Sequence, residues 1–249
     1  DTPTQTPAPS PIPATATPIP ATTPLPTSGP RLPVMRYSNN PNLQISSRFR
    51  TLRAKSQYIV GWLSIPGLLD EAVAQRDNTY YLTHDAQGKK NVNGAIFLDA
   101  GIGLKTRPYT LLMYGHNMKT GAMFGSLRNY EKLSFYQKNP FITFDSLYED
   151  GRYVIFATSD ITTVPGTFGY VDFNDLLSSD TQKRQAAIDA LTFDSAFTCA
   201  VEVQPDDQLL LLITCVEDDE ERRVVAARRV REDEDEAALK KQVEKSRSR

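Results

Sequence analysis

Residues 209–230 read LLLLITCVEDDEERRVVAARRV, an apolar run, a short acidic connection and a second apolar run. This pattern predicts two β-strands joined as a hairpin, because the connection has hairpin length. A hairpin sets the beginning of its second strand opposite the end of its first. Arg222 is therefore predicted to lie near Cys215, at the edge of a sheet where side chains can reach a groove.

The thiol of Cys215 is a candidate nucleophile, since a residue at a strand end can be exposed while its backbone stays rigid. The guanidinium of Arg222 could donate fixed hydrogen bonds to a developing oxyanion. Two other interpretations stay open at this point. A lone cysteine is most often an inert, small, buried side chain. The acidic connection could also hold Arg222 or Arg223 in a surface ion pair.

The chain has two cysteines and two histidines, so few groups could activate such a thiol. His116 follows the apolar run YTLLMY, and a histidine at a strand end can act as a general base or as the imidazolium partner of a thiolate. His84 is predicted to be a hydrogen-bonded structural residue. Cys199 has the pattern of a half-buried strand residue, and a Cys199–Cys215 disulfide also stays open.

Short β-rich runs, including the two of the hairpin, recur along the chain without a regular alternation of strands and helices. They are residues 58–67, 95–98, 109–114, 141–144, 153–157, 208–214 and 224–230. Helical spacing appears in residues 42–56, 122–130 and 180–191, the last beginning at a Ser179-Asp180 cap. Many short strands with a few interspersed helices predict a mixed β-barrel with helical insertions.

Composition narrows the classes of function. The 249 residues include 28 basic and 30 acidic side chains, so the chain lacks the basic excess that nucleic-acid binding requires. Cysteine and histidine are too few for a disulfide scaffold or a cysteine-rich zinc site. No run approaches the roughly 18 apolar residues of a membrane span. We expect neither a metal nor a cofactor.

Three regions differ in composition. Eleven of the 17 prolines fall within the first 33 residues, and we expect residues 1–42 to form a disordered Pro/Thr-rich spacer. Residues 43–231 have the composition of an ordinary folded domain with an N-terminal helix. In residues 232–249 the acidic side chains come first and the basic ones last, which suits a charged, solvated C-terminal helix or tail.

Six segments in a fixed order carry a resemblance to a known family. They are VGWLSIPG (Val60–Gly67), NTYYLTHD (Asn78–Asp85), GAIFLDA (Gly94–Ala100), YGHNMKTGAMFGSL (Tyr114–Leu127), ITC (Ile213–Cys215) and RRVVAARRV (Arg222–Val230). The chain resembles the class B sortases, which are membrane-anchored cysteine transpeptidases of Gram-positive bacteria. The YGHNM block, followed far along the chain by Thr-Cys and then by Arg-x-Val-Val, is highly specific.

The resemblance implies a sortase-like barrel of about eight strands, with an N-terminal helix and an extra helix before the penultimate strand. It implies that Cys215 is the nucleophile and His116 its acid/base partner. Arg222 would stabilise the oxyanion, with Arg223 as the competing candidate for that role. The residues implied to line the substrate groove are Asn78, Leu82, Tyr114, Thr214 and Tyr170. The family usually has serine where this chain has Ile213, which leaves the preferred peptide open.

The implied activity is cleavage of a C-terminal sorting signal of secreted proteins, followed by their transfer, through a thioacyl intermediate, to a peptidoglycan amine. The expected partners are that peptide and a peptidoglycan precursor, with no nucleic acid. The expected form is a monomer at the extracytoplasmic face of the cell membrane, held by an N-terminal anchor absent from this chain. Two alternatives stay open. A catalytically silent surface scaffold would carry the Cys199–Cys215 disulfide or a misplaced Arg222, and a purely hydrolytic cysteine peptidase would not respond to an added amine.

Overall fold

The structure is a computed structural model that describes residues 30–215 and 221–249. The expected spacer over residues 1–29 and the acidic connection 216–220 lie outside these described residues. The helices are α1 (Ser47–Lys55), α2 (Leu133–Lys138), α3 (Phe173–Leu177), α4 (Thr181–Phe193) and α5 (Glu236–Val243), with 3-10 helices at Tyr80–Leu82 and Phe124–Glu131. The strands are β1 (Ile59–Ile65), β2 (Leu69–Ala74), β3 (Ile96–Leu98), β4 (Thr110–His116), β5 (Phe141–Ser146), β6 (Arg152–Thr162), β7 (Phe197–Thr198), β8 (Leu209–Cys215), β9 (Glu221–Arg229) and β10 (Arg247–Ser248).

Eight of the strands close into one mixed barrel, in the order β1-β2-β3-β4-β8-β9-β6-β5. Two neighbouring pairs, β2 with β3 and β4 with β8, are parallel. The other pairs are antiparallel. The predicted mixed barrel with helical insertions is therefore confirmed, including the N-terminal helix and the helix before the penultimate barrel strand.

The apolar strand β8 lies at the centre of the fold. Its residues from Leu209 to Ile213 are fully buried, and the strand is hydrogen-bonded to β4 on one edge and to β9 on the other. The second 3-10 helix also packs against it. A strand that is covered on both faces needs no polar positions, which explains why this part of the sequence is a continuous apolar run.

Helices α3 and α4 form the insertion between β6 and β7. The carboxylate of Asp180 accepts hydrogen bonds from the main-chain N–H groups of Gln182 and Lys183 at 3.0 and 3.3 Å, which is the cap that the sequence predicted. Ile188 and Leu191 are buried on the inner face of α4, which packs against β6. The insertion is therefore anchored beside one strand of the barrel.

Residues 30–42 pack against the domain, which differs from the expectation that all of residues 1–42 form a disordered spacer. Tyr37 is buried, and its hydroxyl donates to the carbonyl oxygen of Leu104 at 2.8 Å. The main-chain N–H of Leu32 donates to the carbonyl oxygen of Ser179 at 2.7 Å. A large aromatic side chain supplies apolar burial that the Pro/Thr tract before it lacks. The folded part thus includes residues 30–42.

The C-terminal region contains a helix, α5, but the expectation that it is solvated needs correction. Leu239 and Val243 are 1% and 0% exposed and belong to the main hydrophobic core. They lie four residues apart and so share one face of the helix. Farther on, Arg247 pairs with Thr198 in the small sheet of β7 and β10. The charged side chains cover only the outer face of a docked helix.

Strand β2 was not predicted, because LDEAVA contains two consecutive acids and little β-propensity. It forms because the Pro-Gly turn returns the chain along β1, pairing Ile65 with Leu69 and Leu63 with Glu71. Its other edge pairs with β3. In the part of the chain that the structure describes, no helix is long and apolar enough to cross a membrane.

Candidate active site

Strands β4 and β8 run parallel and in register along their whole length. Thr110 pairs with Leu209 at one end, and His116 pairs with Cys215 at the other. The two candidate catalytic residues are therefore the last residues of two neighbouring strands, and they end at the same rim of the barrel. Residues far apart in the chain are brought side by side by this parallel pairing.

Strand β9 lies on the other side of β8 and brings a third candidate residue to the same rim. It pairs antiparallel with β8, with Ile213 opposite Val224. The main-chain N–H of Arg223 donates to Oγ1 of Thr214 at 3.0 Å. Continuing this register by two residues sets Arg222 opposite Cys215. We refer to positions His116, Cys215 and Arg222, at the ends of three adjacent strands, as the rim row.

Arg222 and Arg223 have different surroundings. The Arg223 guanidinium makes two 2.9 Å hydrogen bonds to the carboxylate of Asp160 and an ion pair with Glu131. The hydrogen bonds to Asp160 are the main cause that raises the pKa of Arg223. Among the described residues, Arg222 makes no such ion pair. Successive side chains of a strand point to opposite faces, so only one of these arginines can face the side of the sheet that carries the row.

The ring of His116 is held by a main-chain acceptor. Its Nε2 lies 2.7 Å from the carbonyl oxygen of Leu82, in the first 3-10 helix. A carbonyl oxygen can only accept, so Nε2 carries the proton of this hydrogen bond. In the neutral ring, Nδ1 is then the acceptor nitrogen. The contact therefore fixes both the orientation and the tautomer of the imidazole.

Two glycines allow the close packing around His116. Gly94 has φ +62°, and a Cβ there would lie 2.4 Å from the carbonyl oxygen of Tyr81 and 3.1 Å from Cδ2 of His116. A Cβ on Gly115 would lie 2.9 Å from the ring of Phe124. These distances are shorter than ordinary van der Waals contacts, so a side chain at position 94 would displace the groups beside the imidazole, and one at position 115 would displace the ring of Phe124.

Two of the predicted groove residues share a partner that the sequence analysis missed. Nδ2 of Asn78 donates to Oδ2 of Asp99 at 2.9 Å, and the hydroxyl of Tyr114 donates to the same oxygen at 3.3 Å. The structure thus brings Asn78 and Tyr114 together at the end of β3. The available signal was an acid placed directly after a buried strand, in the segment IFLDA.

The other predicted groove residues occupy different positions. Leu82 is partly buried in a small cluster with Tyr81 and contributes its carbonyl to His116. Tyr170 forms an isolated bridge with Thr162, the last residue of β6. That end of β6 lies beside the start of β9, so Tyr170 is at the same rim. Thr214 is 1% exposed, and its hydroxyl accepts from the main chain of β9. The side chain of Thr214 therefore joins two strands, and any contact with a peptide would use its backbone.

Cys199 is a free cysteine, which contradicts the disulfide form of the silent-scaffold alternative. Its Sγ lies 3.0 Å from the hydroxyl of Tyr136 and accepts from the main-chain N–H of Val201 at 3.3 Å. Burial raises the pKa of this thiol. Cys199 is therefore an unreactive packing residue, as its half-buried pattern predicted.

A cavity of about 540 Å³ lies at the opposite end of the barrel, between the N-terminal segment and the ends of β9 and β5. Its charged walls are largely paired with one another, as in the Arg107–Glu149 and Arg231–Asp207 ion pairs. In the described parts of the chain, no cluster of three or more His, Cys, Asp or Glu side chains could hold a metal ion. The groups suited to acyl-transfer chemistry are those of the rim row.

Sequence comparison finds relatives with known names. The chain is 31% identical to sortase B of Listeria monocytogenes over 182 residues, which are 69% of this chain and 68% of that protein. It is 32% identical to sortase B of Staphylococcus aureus over 121 residues, which are 48% of this chain and 50% of that protein. No protein-family model matches the chain.

Structural comparison gives the same result. A Bacillus anthracis protein described as similar to sortase B has a TM-score of 0.66 and 26% identity, and covers 81% of this chain and 88% of its own. The Staphylococcus aureus sortase B–substrate complex has a TM-score of 0.66 and 27% identity over 76% of this chain and 87% of its own. A sortase B in complex with triglycine matches with a TM-score of 0.66 and 27% identity over 77% of this chain and 89% of its own.

Proposed function

Because the chain belongs to the class B sortases, a family of cysteine transpeptidases, we propose that it attaches secreted proteins to the cell wall. It would cleave their C-terminal sorting signal and transfer the new carboxyl end to an amine of a peptidoglycan precursor. The observation that carries this proposal is the in-register pairing of His116 with Cys215 at the barrel rim. A cysteine and a histidine at the ends of adjacent strands form the minimal pair for thiol acyl transfer.

In the first half of the proposed reaction, the thiolate of Cys215 attacks the carbonyl carbon of the scissile peptide bond. A carbon–sulfur bond forms, and the electron pair of the carbonyl moves onto its oxygen. The Arg222 guanidinium donates hydrogen bonds to this oxyanion. As the oxyanion collapses, the carbon–nitrogen bond breaks and the imidazolium of His116 gives its proton to the leaving amine. The product is a thioester on Cys215.

In the second half, the amine of the acceptor attacks the thioester carbon and loses its proton to His116. The tetrahedral intermediate again places its charge near Arg222, and its collapse releases the thiolate of Cys215. The hydrogen bond from Nε2 of His116 to Leu82 supports a role for Nδ1 as the nitrogen that exchanges protons. Both half-reactions then use one fixed orientation of the ring.

The proposed groove lies at the same rim. Asn78, Leu82 and Tyr114 would form one wall, and Tyr170, in the loop after β6, would form part of the other. We further propose that the enzyme acts as a monomer on the extracytoplasmic side of the membrane. The Pro-rich tract that precedes the described residues would then serve as a spacer between the domain and a membrane anchor.

The first expected result concerns the acceptor. Wild-type enzyme should cleave NPxTx-type sorting peptides and, with triglycine present, convert about half or more of the cleaved peptide into an amide of the acceptor, because an amine outcompetes water for a shielded thioester. Mass spectrometry of the products measures this ratio. The solved sortase B complex with triglycine motivates the choice of acceptor. Cleavage that yields only free acid at saturating triglycine would contradict transpeptidation and favour the hydrolytic alternative.

The second expected result separates the adjacent arginines. Arg222→Ala should lower kcat for peptide cleavage by about 10²-fold or more, because an oxyanion donor is lost. Arg223→Ala should leave kcat within about three-fold, because it breaks only outward ion pairs of a partly exposed group. Steady-state cleavage of a quenched-fluorescence peptide measures both. The reverse ranking would move the oxyanion role to Arg223.

A further inference from the structure

Asp99 follows the last residue of β3 and gathers donors from two separate parts of the groove. Its Oδ2 accepts from Nδ2 of Asn78 at 2.9 Å and from the hydroxyl of Tyr114 at 3.3 Å. Its Oδ1 accepts from the main-chain N–H of Gly101 at 2.8 Å. Three donors thus converge on one side chain, and only a carboxylate offers two acceptor oxygens at this length.

We propose that Asp99 is a positioning residue for transpeptidation, which fixes Asn78 and Tyr114 as the wall of the peptide groove. This inference rests on the proposed function, since it assigns those two residues to the groove. Asp99 itself is not assigned to contact the peptide. It acts by holding two polar side chains, one from β4 and one from the segment before the first 3-10 helix, in a single geometry.

The main chain around Asp99 strengthens this connection. Oδ1 of Asn78 accepts from the main-chain N–H of Ala100 at 2.8 Å, so both ends of the Asn78 amide are bound by the 99–100 turn. Nε2 of Gln75 donates to the carbonyl oxygens of Asp99 and Ile102 at 2.8 and 2.7 Å. Such a connected network restricts its members more than separate hydrogen bonds would. The segment 75–78 cannot shift without breaking several of these bonds.

The same segment leads into the 3-10 helix that holds His116. Oδ1 of Asp77 accepts from the main-chain N–H groups of Thr79 and Tyr80 at 3.0 and 2.6 Å, which starts the helix, and its last residue is Leu82. Tyr114 lies two residues before His116 on β4, so both side chains are on one face of that strand. The network of Asp99 therefore borders the rim row without being part of it.

The variant Asp99→Asn distinguishes two roles of this side chain: positioning the groove residues, and stabilising only its own turn through the hydrogen bond with Gly101. An asparagine keeps one acceptor oxygen, which is enough for the turn hydrogen bond with Gly101, and asparagine is favoured in such turns. Its amide group then presents N–H donors toward Nδ2 of Asn78, which is itself a donor, so this contact is lost. The hydroxyl of Tyr114 could only accept from that amide, so the present direction of its hydrogen bond is lost as well. The substitution thus preserves the turn and breaks the contact that holds Asn78.

The test measures KM and kcat for a cleaved sorting peptide in wild type, Asp99→Asn and a matched control, Asp70→Asn. Asp70 is exposed in the β1–β2 hairpin, where its Oδ1 accepts from Nε1 of Trp62 at 2.6 Å. Asp99→Asn should raise KM about ten-fold, the scale of losing hydrogen bonds to a charged group, with kcat changed less than about three-fold. Asp70→Asn should leave both constants unchanged.

A double-mutant cycle identifies the route of the effect. If Asp99 acts through Asn78, then adding Asp99→Asn to Asn78→Ala should raise KM by less than about two-fold more, because coupled residues are not additive. Full additivity in this cycle would overturn the proposal. So would a KM for Asp99→Asn that equals that of Asp70→Asn.

A readout without substrate keeps the inference separate from the proposed function. Hydrogen exchange of the peptide covering residues 75–82 should be about ten-fold faster in Asp99→Asn than in Asp70→Asn, since the network that holds it is broken. If wild type cleaves no sorting peptide, the proposed function fails, and this measurement still decides whether Asp99 fixes the segment. Unchanged exchange would overturn the positioning role in either case.

Discussion

Cys215→Ala is expected to lower kcat/KM for sorting-peptide cleavage by about 10⁴-fold or more, because no other group of the rim row can form a thioester. His116→Ala should cause a loss of similar scale. The double variant should be no worse than Cys215→Ala alone, because residues that act in one step as a unit are strongly non-additive. Initial rates with a quenched-fluorescence peptide under reducing conditions measure all three.

Cys199→Ala is the matched control for the nucleophile. Its thiol packs against Tyr136 and lies 3.8 Å from the carbonyl oxygen of Ile155, and its pKa is raised by burial. This variant should keep kcat/KM within about three-fold of wild type, since it removes only a small packing group. Activity lost with Cys199→Ala and retained with Cys215→Ala would contradict the assignment of the nucleophile.

Arg184→Met is expected to lower the free energy of unfolding by about 3–5 kcal/mol, the largest stability effect that we predict. Arg184 is fully buried, and its guanidinium donates mainly to main-chain carbonyls. The acceptors are the carbonyl oxygens of Pro205 (2.6 Å), Asp207 (2.9 Å), Tyr109 (3.5 Å) and Leu176, and Oγ1 of Thr110 (2.9 Å). Burial lowers the pKa of Arg184 to about 10. Methionine would fill much of the space but would remove the guanidinium donors from the carbonyl oxygens of Pro205 and Asp207.

Lys183→Met is the control at the preceding position of the same helix. Lys183 is exposed and makes only a 3.5 Å ion pair with Asp175, so its loss should change the free energy of unfolding by about 0.5 kcal/mol or less. Equilibrium unfolding in denaturant compares both variants with wild type. A loss for Arg184→Met that is within about 1 kcal/mol of the Lys183→Met value would show that the carbonyl contacts do not stabilise the fold.

The β8–β9 hairpin could be predicted from its own residues, since an apolar run that ends in a short polar connection specifies a local return of the chain. Its geometry predicted, before any tertiary information, that Arg222 lies near Cys215. The choice between Arg222 and Arg223 could not be made in the same way. Within the described residues, Asp160 and Glu131, which belong to other elements, pair with Arg223 and not with Arg222, and this difference supports the proposal that Arg222 is the oxyanion donor.

The misjudged regions have a common cause. Residues 30–42 and α5 were interpreted from composition. Composition shows whether a segment can remain exposed to solvent, but it does not show whether the segment packs against the rest of the domain. The pair Leu239 and Val243, four residues apart, was the available signal of a buried helix face. Strand β2 shows the opposite case, because partners on both edges impose a strand on a sequence with weak propensity.

The sequence by itself determined most of the strands and helices, the hairpin with its cysteine and arginine, and the family resemblance that singled out His116. The elements and the hairpin follow from backbone preferences and side-chain periodicity within short windows, which do not depend on distant residues. The resemblance rests on six motifs that occur in a fixed order along the chain. Only the tertiary structure decided that β4 pairs in parallel with β8, which sets His116 beside Cys215, and that Asp99 joins Asn78 to Tyr114. Those contacts form because closing the barrel satisfies every strand edge at once, and that condition involves the whole chain.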